Sequence, residues 1–190
     1  MTTQQEILDF WFAEGPNTKR MAWFQVNPTF DAACRKLCAA LMDPARNGAL
    51  DHWAETADGA LALLLLLDQM PRNIHRGNAA AFAADAKARA IARAAIARGQ
   101  DQQCTQAQRG FFYLPFEHAE DLADQDLSVK LFAVLAAEPD FDNPARTLDF
   151  VGRHHDVIRR FGRFPHRNAA LGRISTVAEA DYLARPGAGF

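Results

Sequence analysis

Three observations predict an all-α fold. The chain holds 37 Ala and 18 Leu against 6 Ile and 6 Val. Unbranched side chains keep their rotamers on a helix, whereas β-branched ones suit a pleated strand. No stretch alternates apolar and polar residues at strand period, and Asn47-Gly48 lies between helical segments rather than between strands. Helix start and stop signals recur along the whole chain. With 190 residues, 49% apolar and 23% charged, a single all-helical domain over residues 1–190 with a buried core is expected.

The elements follow in order from their caps. Thr3-x-x-Glu6 is a capping box opening a helix over 4–13. Asn27-Pro28 places a capping amide before a proline at the first helical position and predicts a helix over 28–42. Asp43-Pro44 repeats that signal, and Asn47-Gly48 marks an end. A leucine-rich helix is expected over 57–69, with a stop at Gly77, and another over 79–98, broken near Ala84 and stopped by Gly99. Thr105-x-x-Gln108 opens a helix over 105–113, and a further one follows over 116–137. Asn143-Pro144 opens 144–161, and Thr176-x-x-Glu179 opens 176–184 ahead of Pro186-Gly187. About eight helices joined by short loops suit a bundle or a stack of antiparallel pairs.

Charge and composition exclude several functions. Lys and Arg number 21 against 23 Asp and Glu, a net charge of −2, so no nucleic-acid partner is expected. The longest apolar run, Gly59 to Leu67, is less than half of the ~20 residues that span a bilayer. It reads as a core helix, with no membrane association. The first residues, Met1 to Glu6, lack the basic and apolar regions of a signal peptide, and a cytoplasmic protein is expected. Cys34, Cys38 and Cys104 are too few for a disulfide scaffold. The first two supply only two soft ligands with no histidine near them, so no metal site and no cofactor are expected. Phe10, Trp11, Phe12, Trp23, Phe24, Phe30 and Trp53 are expected in the core.

The polar residues fall into blocks. Residues 117–126 hold five acids and no Lys or Arg, with Glu117, Asp121 and Asp124 on one helical stripe. Residues 146–173 hold seven arginines against Asp149 and Asp156. Two such segments in a nearly neutral chain are expected to face each other. On the helix over 144–161, Arg146, Asp149, Arg153, Asp156 and Arg160 form a solvated, ion-paired stripe. His154 falls in the apolar arc opposite, and His155 nearer its edge. Asp68 closes the leucine helix, where the dipole disfavours a carboxylate; Arg72, Arg163 or Arg167 is its expected counter-charge. The strings Met70–Gly77 and Phe164–Arg173 echo one another as proline-bearing helix exits followed by Arg-Asn, then Gly and Arg.

Several long strings resemble one family. They are Leu8-Asp9-Phe10-Trp11-Phe12, Trp23-Phe24, Phe30-Asp31, Leu67-Asp68-Gln69-Met70-Pro71-Arg72-Asn73 and Phe82-Ala83-Ala84-Asp85. Tyr113 to Asp121, Arg160 to Asn168, and Leu171-Gly172-Arg173 with Ser175-Thr176 complete the set. On these the sequence resembles the bacterial domain-of-unknown-function family 924 over nearly its whole length. Ala119 departs from the pattern, where the family often has Ser. The resemblance implies a tetratricopeptide-like superhelical array, a fold that commonly hosts peptide and protein binding. It implies no activity.

The candidate site is drawn from these strings. Arg72, Asn73, Arg76, Arg163, His166, Arg167, Asn168 and Arg173 are planar or amide donors expected on helix-exit loops, and guanidinium forks match carboxylates and phosphates. Converging, they would line a pocket for a small anionic ligand or a peptide, with Glu117, His118 and Glu120 on its other wall. Asp68, Asp121 and His155 complete the candidate set. The same arginines serve equally as helix C-caps and as partners of Asp68 and the acids of 117–126. An enzyme would use His118 or His166 as acid or base. No known catalytic motif is present: no Gly-x-Ser-x-Gly, no His-Glu-x-x-His, no phosphate-cradling glycine loop and no Glu-x-x-His.

Overall fold

The computed structural model describes residues 2–189, which form helices and turns with no strand among them. The chain divides into two compact units, Met1–Arg76 with Ala80–Pro115, and Gly77–Ala79 with Phe116–Phe190.

In the first unit, α1 (Gln4–Trp11) starts as its capping box requires: the Thr3 hydroxyl accepts from the Glu6 N–H and Glu6 accepts from the Thr3 N–H. Ile7, Leu8 and Trp11 are its buried face. Helix α2 (Pro28–Arg46) is capped by Asn27 and runs past the expected end at 42. Pro44 lies in its last turn, where it removes one bond of the ladder two residues before the helix ends, and buried Ala45 holds the turn in place. Helix α3 (Ala57–Leu64) continues through a π-helical stretch, Leu65–Gln69, into α4 (Met70–Ile74). The expected stop at 69 is therefore absent. The i→i−4 ladder is already interrupted in the π stretch, so Pro71 removes little when it follows. Every residue from Gly59 to Pro71 is buried, which makes this helix the centre of the unit, packed by α1, α2 and α5 (Asp85–Ala97). The predicted break near Ala84 is present, between a 3₁₀ turn at Ala79–Phe82 and α5. Helix α6 (Gln106–Glu117) carries Pro115 within it, so the expected gap between 113 and 116 does not occur.

Aromatic rings close one end of this core. Trp11 and Trp23 stack at 5.9 Å, and Phe111 meets both edge-on at 5.8 and 5.0 Å. The Trp23 indole N–H donates to the Trp11 carbonyl at the end of α1, where Arg20 also donates. Phe24, expected in the core, is 58% exposed.

In the second unit, α7 (Leu122–Ala136) starts at an Asp121 cap, six residues later than the sequence reading placed it. Helix α8 (Pro144–Phe161) is capped by Asn143 and ends at Gly162 with φ +67°, the left-handed conformation that glycine adopts without strain. His155, near the end of α8, bonds Asp126, near the start of α7, at 2.9 Å, so these packed helices run antiparallel. A 3₁₀ turn at Pro165–Arg167 and α9 (Val177–Leu183) follow, the latter opened by the Thr176/Glu179 capping box. Val157, Ile158 and Phe164 form a core with Phe161 and Tyr182 against it. The echo between the two proline strings is not structural: one is helical α4, the other a short 3₁₀ turn. No helix among the described residues is long and apolar enough to cross a membrane.

Candidate functional site

The first arginine string spends its guanidinium groups within its own unit. Arg72 lies on α4 rather than on a loop and grips Asp85 with two nitrogens, both at 3.0 Å. It also donates to the Asp68 carbonyl and lies 3.2 Å from the Asp68 carboxylate, which is the counter-charge that buried Asp68 required. Burial works against the Arg72 charge, but Asp68 and Asp85 outweigh it and raise its pKa. Gln69 donates to Asp68 from the next residue. Asn73 and Arg76 both serve Asp31, at 2.9 Å from the amide and 2.8 and 3.0 Å from the guanidinium. Those bonds overcome the burial of Asp31 and lower its pKa.

In the second unit the acidic block and the C-terminal string do meet. Glu120 accepts two bonds from Arg173, at 2.6 and 2.9 Å, and one from the Phe164 N–H at 2.8 Å. Burial opposes its charge, and these donors still hold its carboxyl below the ordinary range. Arg163 grips Glu179 at 2.6 and 2.8 Å. That pair and the Thr176 N–H bring the Glu179 carboxyl down to about 2. Asp121 is consumed as the cap of α7, and His155 faces Asp126. The Asn168 amide donates to the Ser175 hydroxyl.

What remains of the predicted set surrounds Phe164. Arg167 is buried with its guanidinium carbon 4.4 Å from the centre of that ring. His166 and His154 pack on it at 5.5 and 5.6 Å, and His118 lies 6.4 Å from His154. His154 bonds the Phe150 carbonyl through Nδ1 at 2.9 Å, with the buried Glu117 carboxylate 3.4 Å from the same nitrogen. Burial holds this imidazole well below its ordinary pKa; the Phe150 carbonyl opposes the shift, while His118, His166 and Arg167 add to it. His118 and His166 are half-buried, and Gly189 lies against the His166 ring. Gln125 ties the end of α6 by donating to the carbonyls of Glu117 and Ala119 at 2.6 and 2.8 Å.

Two open grooves mark the surface of the units, and neither is lined by a residue the sequence reading selected. One, about 450 Å³, lies in the first unit between Gln4, Gln5 and Leu8 of α1 and Thr56, Asp58 and Gln103. The other, about 280 Å³, lies in the second unit along α8 and the segment after α9. It is lined by Arg153, Asp156, Val157, Arg160, Tyr182 and Arg185, with 186–188 at its edge. Arg153, Asp156, Val157 and Arg160 share one helical face at spacings of 3, 4 and 7. Arg153 donates to the Gly187 carbonyl at 2.7 Å, which holds the C-terminal segment against the helix. Asp156 is taken by Arg159 at 2.9 Å. Arg160 lies 4.7 Å over the Phe161 ring, and among the described residues neither Arg160 nor Arg185 has a carboxylate partner. The sequence reading put Arg153 and Arg160 on a solvated stripe. The missing signal was Arg185 and Tyr182, which reach α8 only through the tertiary fold.

Comparison with known proteins places this geometry in a family. The family described as "Bacterial protein of unknown function (DUF924)" matches residues 7–187. A solved structure of a protein of unknown function from Agrobacterium tumefaciens is similar, with a TM-score of 0.84 and 41% identity. The match covers 95% of this chain and 96% of that one. Nothing among the curated proteins matches.

Proposed function

The chain belongs to the DUF924 family of bacterial proteins, and we propose that it is a binding protein for an anionic ligand or peptide, held at the arginine-lined groove of its second unit. One contrast carries this reading. In that unit Arg163 and Arg173 are each held by one carboxylate through two nitrogens, whereas Arg160 and Arg185 line a common groove in which Asp156 is taken by Arg159, and among the described residues neither has a carboxylate partner. Three arginines against the one Asp156 leave the groove with a positive excess, and a bound anion relieves the repulsion among them. The expected ligand class is the one the sequence suggested, but the residues that would hold it are different ones.

The test is thermal stabilisation by a panel of small carboxylates, phosphates and acidic peptides. Saturable stabilisation is expected in the wild type and in R146A, which alters an exposed arginine of α8 outside the groove. It should be lost in the R160A/R185A double variant with circular dichroism unchanged. No saturable shift, or the same shift in the double variant, overturns the reading.

A second reading is an enzyme using His118 or His166 as acid or base. The buried Glu117–His154 contact favours it, because a carboxylate beside an imidazole is a common catalytic pairing. Neither serine is placed as a nucleophile for it: Ser128 is buried within α7 and the Ser175 hydroxyl accepts from Asn168.

A further inference from the structure

We infer that the groove along α8 takes a phosphomonoester carrying a planar ring, an inference that rests on the anion-binding reading and narrows its ligand. The second unit itself shows what one carboxylate does with a guanidinium. Glu120 takes two nitrogens of Arg173, and Glu179 two nitrogens of Arg163, one acid to one arginine. A carboxylate in the groove would therefore satisfy either Arg160 or Arg185, the two lining arginines with no carboxylate partner among the described residues, and leave the other unmatched. A phosphoryl group presents three terminal oxygens and between one and two negative charges near neutral pH. It matches two forks at once, and bidentate arginine–phosphate bonds are among the stronger polar contacts. Arg160 and Arg185 enter from different elements, one on α8 and one just beyond α9, so they can approach a tetrahedral group from two sides.

The rest of the lining selects the remainder of the ligand. Val157 and Tyr182 supply apolar surface beside the arginines, and Tyr182 is braced by Phe161 at 5.3 Å. Arg160 lies over the face of Phe161, so a planar cation–ring contact already borders the groove. Arg153 is fastened to the Gly187 carbonyl, so it keeps the C-terminal wall in place. At about 280 Å³ the groove admits one ring and its phosphate.

The experiment is isothermal titration calorimetry of the full chain with phenyl phosphate, inorganic phosphate and benzoate at one fixed salt concentration. Phenyl phosphate is expected to bind at least tenfold more tightly than benzoate and at least threefold more tightly than inorganic phosphate. R160A and R185A should each weaken phenyl phosphate fivefold or more, while R146A leaves it unchanged. Y182L, checked for folding by circular dichroism, should erase the advantage over inorganic phosphate. Benzoate binding as tightly as phenyl phosphate in a manner lost in R160A and R185A overturns the phosphomonoester assignment and leaves the anion reading standing. Inorganic phosphate equal to phenyl phosphate removes the ring from the assignment. Absence of saturable binding by all three probes, or binding indifferent to Arg160 and Arg185, overturns both.

Discussion

Glu120 and Arg173 form a two-pronged ion pair across 53 residues of sequence, and the same carboxylate also accepts the Phe164 N–H. The backbone between positions 164 and 173 is thereby closed into a loop at both ends, with the Phe164 carbonyl bonded by Arg173 as well. The Phe164 ring, with His154, His166 and Arg167 packed on it, stands at the head of this loop.

Removing the carboxylate leaves a buried N–H and a guanidinium without their acceptor. E120A is expected to lower the unfolding free energy by about 1–3 kcal/mol, the range for charge-assisted bonds, partial solvent access keeping it off the upper end. E120Q, which keeps an acceptor for Phe164, should lose less. Urea unfolding of the three proteins checks this order, and an E120A midpoint equal to the wild type would refute it.

Arg72 holds two carboxylates, one of them the fully buried Asp68. R72K replaces a planar fork with a point charge that cannot serve both oxygens of Asp85. R72A goes further and strands two acids, for which about 3–5 kcal/mol is the expected loss. Chemical denaturation should rank wild type above R72K and R72K above R72A; a mild R72A phenotype contradicts the role given to this residue.

Two glycines predict opposite signs. A methyl group on Gly59 would run into the Trp53 carbonyl oxygen and the Thr56 hydroxyl, while one on Gly152, within α8, meets nothing within 4 Å. G59A should destabilise by about 1–3 kcal/mol through overpacking against backbone. G152A should stabilise by about 0.5–1 kcal/mol through lower chain entropy in the unfolded state. Thermal midpoints moving the same way in both variants would contradict the packing described.

His154 stays neutral in the folded chain when an unfolded imidazole would take a proton. Its folded pKa is depressed, so the unfolded state binds the proton first, and stability falls as pH drops below the ordinary histidine value of about 6.5. The slope is about 1.4 kcal/mol per pH unit for one proton. The stability of H154Q relative to wild type should therefore improve steadily from pH 7.5 to 5.5. A constant difference across that range would show that His154 titrates normally.

The helix starts were legible because capping is local: Thr3, Asn27, Asn143 and Thr176 each bond an amide two or three residues into the helix they open. The stops at proline were misread because burial decides whether a helix survives the loss of one donor. Pro44, Pro71 and Pro115 all lie within helical runs next to one buried residue, Ala45, Met70 and Phe116 respectively. The charged blocks were legible in the sequence, and their pairings were not. Composition shows that arginines outnumber acids near the C-terminus, but that Arg173 meets Glu120 while Arg185 has no carboxylate partner among the described residues is set by packing over tens of residues. His154 was read as a core residue, and it is buried; that Glu117 and His118 would reach it depends on where α6 ends, which the reading placed before Pro115.

The π-helical stretch at Leu65–Gln69 has a consequence for anyone shortening this chain. A wide turn takes in one more residue than an α turn, and so it offsets by about 100° the phase of all that follows. Deleting a single leucine there would remove little apolar mass. The turn would then close to an ordinary α turn and leave Arg72 and Asn73 facing Asp85 and Asp31, whereas the same deletion within α3 would swing both around the helix axis by about 100°.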